Sequence, residues 1–276
     1  MRSILFLVLT MATALFPGCG GGGGSVPPAP GDPCSVLGIQ PKIINGVACS
    51  GFENSAIVRV AVVIKRAEVN YAIPVCTGAM IDRRFVLTAT HCLNDAEIDG
   101  FKIRGRGILV GPAGDLRFLP AIRTNFAPGY ILDNERLFND LAIVELEDDS
   151  GLPILPLLAS ATPAVEDEVF VYGYGQRIEG DAPEKDVFAE LQAGTMVLDS
   201  VTPNHFFVNF SGSGTNVCFG DSGGPMLYPG QNAVIGVVSQ GSKSGCKAGD
   251  VTTFTNVISE EHLAWIQSIV PNVLLN

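Results

Sequence analysis

With 276 residues, 47% of them hydrophobic, the chain is long enough for one large core or two small ones and is neither fibrous nor disordered in composition. Its formal charge of −11, from 28 acidic and 17 basic residues, is spread without a long run of one sign, which argues against nucleic acid or anionic lipid headgroups as partners. The balance suits a soluble, exported protein.

Arg2 and the apolar stretch Ile4–Phe16 read as a signal peptide over residues 1–18, because the stretch is too short to span a bilayer as a helix. Export permits disulfides, so the seven cysteines form a framework with one left over. Cys19, in "LFPGCGGGGGS", resembles the lipidated cysteine of bacterial lipoprotein signals, although Phe16 and Pro17 fit imperfectly. The alternative is an ordinary signal peptide with a spare thiol. From Gly18 to Pro33 almost every residue is Gly, Pro, Ser or Ala, a composition for a spacer. Residues 19–42 are thus linker and propeptide, and 43–276 the folded domain.

Beyond Lys42, "AIVRVAVVIK", "FVLTAT", "FKIRGRGILV", "LAIVELE", "VFVYGYG", "LQAGTMVLDSV", "HFFVNF" and "AVIGVVSQG" follow one another with turn residues between them. Many short strands without alternating helices predict an all-β fold of antiparallel barrels or a sandwich. One helix is expected in "SEEHLAWIQSIV", with Ser259 as N-cap, Glu260 and Glu261 in the first turn, and Leu263, Ile266 and Val270 on one stripe.

Three stretches carry chemistry together: "LTATHC" ends on His91 and Cys92, "NDLAIVEL" holds Asp140, and "CFGDSGGP" holds Ser222. Singly, each has a structural reading as core, turn or tight loop. In the order His, Asp, Ser, from about Ile43 to Val270, they resemble the chymotrypsin-like serine peptidases. The resemblance implies two antiparallel six-stranded β-barrels with a C-terminal helix. It gives Ser222 the nucleophilic attack, His91 the proton transfer and Asp140 the orientation of the imidazole. The backbone N–H groups of Gly220 and Ser222 would hold the oxyanion.

The same resemblance pairs Cys76 with Cys92 and Cys218 with Cys246, which makes Cys34 with Cys49 the natural third pair and leaves Cys19 for lipid. Relatives are cut before an Ile-Val-Gly-Gly-like sequence, and "IINGV" stands in that place, with Asn45 where glycine is usual. Cleavage after Lys42 would free the Ile43 amino group to pair with Asp221, a switch rather than a source of stability. A Cys34–Cys49 bond would keep the propeptide attached after the cut.

Specificity is read from the pocket. The residue six before the nucleophile, aspartate in relatives that cut after Lys or Arg, is Asn216 here. Val217 follows it. Ser239, Gln240 and Gly241 match the strand that pairs with the substrate backbone, and Thr252 or Thr253 replaces a pocket glycine. Cleavage after medium apolar or neutral polar residues is expected, with a separate trypsin-like protease to cut at Lys42. Asp250 is the competing consideration, since its carboxylate, turned into the pocket, would restore basic specificity.

A catalytically inactive homologue acting as a binding module is the alternative, but it has no physical need for all three of His91, Asp140 and Ser222. An α/β-hydrolase esterase would place its histidine last, and the order here differs. His91, His205 and His262 lack metal-ligand spacing, so no metal and no cofactor are expected. Partners are protein or peptide substrates and the activating protease, with no nucleic acid and no membrane beyond the lipid anchor. The protein is expected to be an exported monomer: a periplasmic or cell-surface lipoprotein, otherwise secreted.

Overall fold

The computed structural model describes residues 33–37, 47–48, 54–133, 136–177, 180, 187–243 and 246–276. The strands β1 (Ile57–Arg66), β2 (Val69–Asp82), β3 (Phe85–Thr88), β4 (Phe101–Val110), β5 (Arg117–Phe126) and β6 (Ala142–Leu146) pair antiparallel in the order β1-β2-β3-β6-β5-β4. Pairing of β1 with β4 closes them into a six-stranded barrel. Closure leaves none of these six strands with a free edge.

The second half contains β7 (Glu168–Gly173), β8 (Gln192–Val197), β9 (His205–Phe210), β10 (Pro225–Tyr228), β11 (Ala233–Gly241) and β12 (Asp250–Asn256), ordered β8-β7-β10-β11-β12-β9. This sheet curls into a half-barrel. Its outer strands pair with the two-residue strands Val47–Ala48 on β8 and Ser200–Val201 on β9 instead of closing on each other. The two-barrel architecture is therefore realised as one closed barrel and one curled sheet.

The apolar runs explain the arrangement. Along β1, Ile57 to Val62 is buried without alternation because one face fills the barrel while the other is covered by the second half. Phe170, Tyr172 and Tyr174 join Val60, Met80 and Ile81 in a single cluster, so the two halves share a core. Each fully buried Val or Leu in it stabilises the fold by roughly 2 kcal/mol.

The C-terminal helix spans Glu260–Ile269, with the Ser259 side chain accepting from the His262 N–H at its start. Ile266 and Val270 are buried as the stripe requires, whereas Leu263 is only partly covered. No helix among the described residues is long and apolar enough to cross a membrane.

Candidate active site

His91 follows β3 on a single 3-10 turn, Thr90–Cys92, pinned to β2 by the Cys76–Cys92 disulfide. Thr90 Oγ1 donates to the Leu141 carbonyl at 2.6 Å, tying this turn to the residue after Asp140. Asp140 is fully buried and accepts three hydrogen bonds: from the His91 backbone N–H at 2.9 Å, from His91 Nδ1 at 2.7 Å and from Ser239 Oγ at 2.6 Å. A buried carboxylate is tolerated when its lone pairs are filled in this way. The bond to Nδ1 leaves His91 Nε2 as the nitrogen able to take a proton.

Ser222, half-buried, lines the same cleft as His91 and Gly220. Among the described residues its hydroxyl makes no hydrogen bond to the His91 ring within 3.5 Å. Such contacts commonly tighten only once substrate is bound. The segment before Ser222 is shaped by glycine: Gly220 has φ +97°, and a Cβ there would lie 2.9 Å from Val187 Cγ1 and 3.0 Å from the Gly175 Cα. Gly223 has φ +78°, and a Cβ there would collide with Thr77 and Thr88. The second expected disulfide, Cys218–Cys246, is present and bridges this loop to the one before β12.

Asp221 is buried beneath the turn, where its carboxylate accepts from the backbone N–H groups of Cys218 and Gly175, both at 2.8 Å. Burial pushes its pKa up to about 7 against these two bonds. Gly173 and Gly175 are required beside it, since a Cβ at either would collide with the carboxylate. No cationic side chain among the described residues lies within 4.0 Å of it.

Lys42, Ile43, Cys19 and Cys49 lie outside the described residues. Cys34, on a four-residue helical turn Pro33–Val36, is buried in the core cluster and disulfide-bonded, with its partner outside the described residues. The Tyr172 hydroxyl donates to the Pro33 carbonyl at 2.6 Å, fastening this segment to the second sheet.

Of the expected pocket residues, Val217, Gln240 and Gly241 line a cavity beside Ser222. Ser239 is turned away onto Asp140. Asn216 and Thr252 sit fully buried behind the wall, where Thr252 Oγ1 donates to Asn216 Oδ1 at 3.1 Å. Asp250 is buried and does line the cavity.

Several supporting residues carry no motif. Gln240 Oε1 accepts from the Leu137 N–H at 2.6 Å and His205 Nε2 donates to the Leu137 carbonyl at 2.8 Å, so both brace the paired strands Ile131–Asp133 and Arg136–Phe138 against the second sheet. Burial holds the His205 pKa below its usual value, which suits a neutral ring donating one proton. His262 Nε2 lies 2.9 Å from Asn139 Oδ1, and Asn139 has φ +52° immediately before Asp140, so the C-terminal helix steadies the Asp140 carboxylate. Cys76, His91 and Cys92 also group their ligand atoms closely, but the two sulfurs are bonded to each other and offer no thiolate to a metal.

These features agree with comparison to known proteins. Human "Serine protease 1" is 26% identical over 245 residues, covering 83% of this chain and 90% of that protein. "Trypsin" of Sarcophaga bullata is 25% identical over 256 residues, 85% of this chain and 93% of its own length. "Brachyurin" of Leptuca pugilator is 27% identical over 207 residues, 70% of this chain and 86% of its own. A family model described as Trypsin matches residues 43–266, and the chain belongs to that family.

Proposed function

We propose that the protein is a serine endopeptidase in which Ser222 attacks the peptide carbonyl, His91 accepts and returns the proton, and Asp140 fixes the imidazole. The observation that carries this reading is the buried Asp140 carboxylate bonded to both nitrogen donors of His91 on one side and Ser239 on the other, with Ser222 in the cleft the ring faces. The amides of Gly220 and Ser222 would stabilise the oxyanion, a contribution of about 3 kcal/mol per donor in such sites.

The chain is a zymogen in this reading. Asp221, buried with only neutral donors, is where a cation released by cleavage after Lys42 would be stabilised, and the Ile43 ammonium is that cation. Cys34, packed in the core and disulfide-bonded, supports a propeptide that remains attached after the cut. Lipidation of Cys19 would then tether the enzyme through that bond. The two described disulfides fit an extracellular protein. A preference for medium apolar or neutral polar residues requires Asp250 to face solvent, and its burial in the pocket wall reopens that point.

The test is fluorophosphonate labelling before and after limited trypsin treatment, with products compared on reducing and non-reducing gels. Labelling of Ser222 only after a cut at Lys42, with propeptide lost only on reduction, supports the zymogen. A completed cut without labelling overturns it in favour of an inactive binding homologue.

A further inference from the structure

We propose that Asp250 is the specificity-determining residue of this site and that it selects a cationic side chain, lysine or arginine, on the residue whose carbonyl Ser222 attacks; the inference rests on the endopeptidase reading above.

The carboxylate is only 1% exposed, yet it forms part of the wall of a cavity of about 270 Å³ that opens beside Ser222. Its hydrogen bonds come from neutral donors. Oδ1 accepts from Ser242 Oγ at 3.1 Å and the Lys243 N–H at 3.0 Å, while Oδ2 accepts a single long bond from Asn216 Nδ2 at 3.3 Å. Three donors hold the ionised form, but none neutralises it. The ammonium of Lys243, the one basic residue lining the pocket among the described residues, donates instead to the Ala248 carbonyl at 3.3 Å. An uncompensated buried charge is costly, and a guest cation inside the cavity would remove that cost.

The rest of the pocket suits such a guest. Val217, Cys218, Phe219 and Val238 give apolar walls for the methylene stem of a lysine or arginine, whose charged head would then meet Oδ2. Gly241 leaves space beside that oxygen, since a Cβ at this position would stand 2.8 Å from it. Asn216, whose neutrality argues against basic substrates when the sequence is read alone, is a positioning residue here. Its oxygen is taken by Thr252 and its nitrogen donates to the Cys246 carbonyl and to Asp250, so it orients the carboxylate from behind the wall. A neutral guest such as glutamine could donate to Oδ2 but would leave the charge unbalanced.

The test uses the full chain cut by immobilised trypsin, with active sites counted by fluorophosphonate labelling. Peptide amides differing only in the residue before the scissile bond (Lys, Arg, Gln, Leu) are compared by kcat/KM. Lys and Arg should exceed Gln and Leu by about 100-fold. Asp250→Asn should erase most of that ratio by lowering kcat/KM for Lys and Arg, and should weaken benzamidine protection against labelling to a similar degree as it weakens basic substrates. A wild-type enzyme that labels but cuts after Leu or Gln as well as after Lys overturns the inference and leaves the endopeptidase reading intact. The inference is likewise overturned, with that reading intact, if Asp250→Asn labels and keeps its basic preference. Absence of both labelling and hydrolysis in the wild type overturns both. The wild-type ratio decides the matter if Asp250→Asn fails to fold.

Discussion

The Arg59 guanidinium lies 4.1 Å over the ring of Tyr174 and is almost fully buried, reaching from the closed barrel to the second half of the molecule. It donates to the carbonyls of Phe188, Ala189 and Gly111. Phe188 and Val187 in turn pack against Gly220, so one buried cation braces the loop that covers the proposed oxyanion turn.

Arg59→Leu should therefore act twice. Losing the donors leaves buried carbonyls unsatisfied and should cost about 3 kcal/mol of stability, read as a fall in thermal midpoint. The rate of fluorophosphonate labelling at Ser222 should also fall, by about tenfold, as the turn loosens. Arg59→Lys keeps the charge but cannot serve three divergent carbonyls and should recover only part of either quantity. Unchanged labelling in a destabilised Arg59→Leu would assign the residue a purely structural role.

Asp221 sets a pH dependence whose sign can be worked out. Its folded pKa of about 7 stands above the ordinary carboxylate value of 3.8. The folded uncut chain therefore binds more protons than the unfolded chain between these values. The contribution is fully present below pH 3.8 and is lost as pH rises through about 7, a change of roughly 4 kcal/mol. Urea denaturation of uncut Ser222→Ala should show stability falling across this window, and the slope should shrink in the added Asp221→Asn variant. After cleavage at Lys42, pairing with the Ile43 ammonium should lower the carboxyl pKa and remove the decline. An equal decline in cut and uncut protein would sink the proposed switch.

How much of the molecule is legible in its sequence depends on the kind of signal. Strands such as "LAIVELE" and "HFFVNF" announce themselves by apolar runs, and the three motif segments identify the family with little help from the fold. β2 and β5 are harder: Pro74 and Gly78 interrupt the first, and the second sets Pro120, Arg123, Thr124 and Asn125 among its apolar residues. Half-exposed strands of this kind form because their neighbours supply hydrogen bonds on both sides. The roles of Arg59, His205 and His262 belong to contacts far apart in sequence, for which no local pattern exists. Asp250 is the instructive case, because residue type alone allows solvent or pocket and only the pairing of β9 with β12, which sets Asp250 opposite Phe210, decides its direction.

His262 offers a test of the proposed triad's support that leaves His91, Asp140 and Ser222 untouched. Its ring bridges the Asn256 carbonyl at 2.6 Å and Asn139 Oδ1 at 2.9 Å. His262→Leu fills similar space but removes the ring's polar contacts with both groups, at a cost of about 2 kcal/mol in stability. Because Asn139 precedes Asp140 in a left-handed conformation, kcat should fall several-fold while KM stays within a factor of about two. Equal kcat in the variant would mean that the 3-10 turn and Ser239 suffice to hold Asp140.

If Asp250 accepts lysine, the activating protease need not be foreign, because Lys42 stands immediately before Ile43. Uncut Ser222→Ala chain cannot process itself and so serves as a pure substrate. Mixed with a small amount of active wild-type enzyme freed of trypsin, it should be cut after Lys42, and the rate should rise in proportion to the active enzyme added, as expected for cleavage between molecules. Asp250→Asn enzyme at the same concentration of labelled sites should cut it about 100-fold more slowly. A full-length wild-type preparation should then activate with a lag that shortens as protein concentration rises. Cleavage of the Ser222→Ala chain by added trypsin but never by wild-type enzyme would restore the need for a separate activator. The same enzyme turning over lysine peptides would then place the obstacle in the presentation of the Lys42 segment rather than in the pocket.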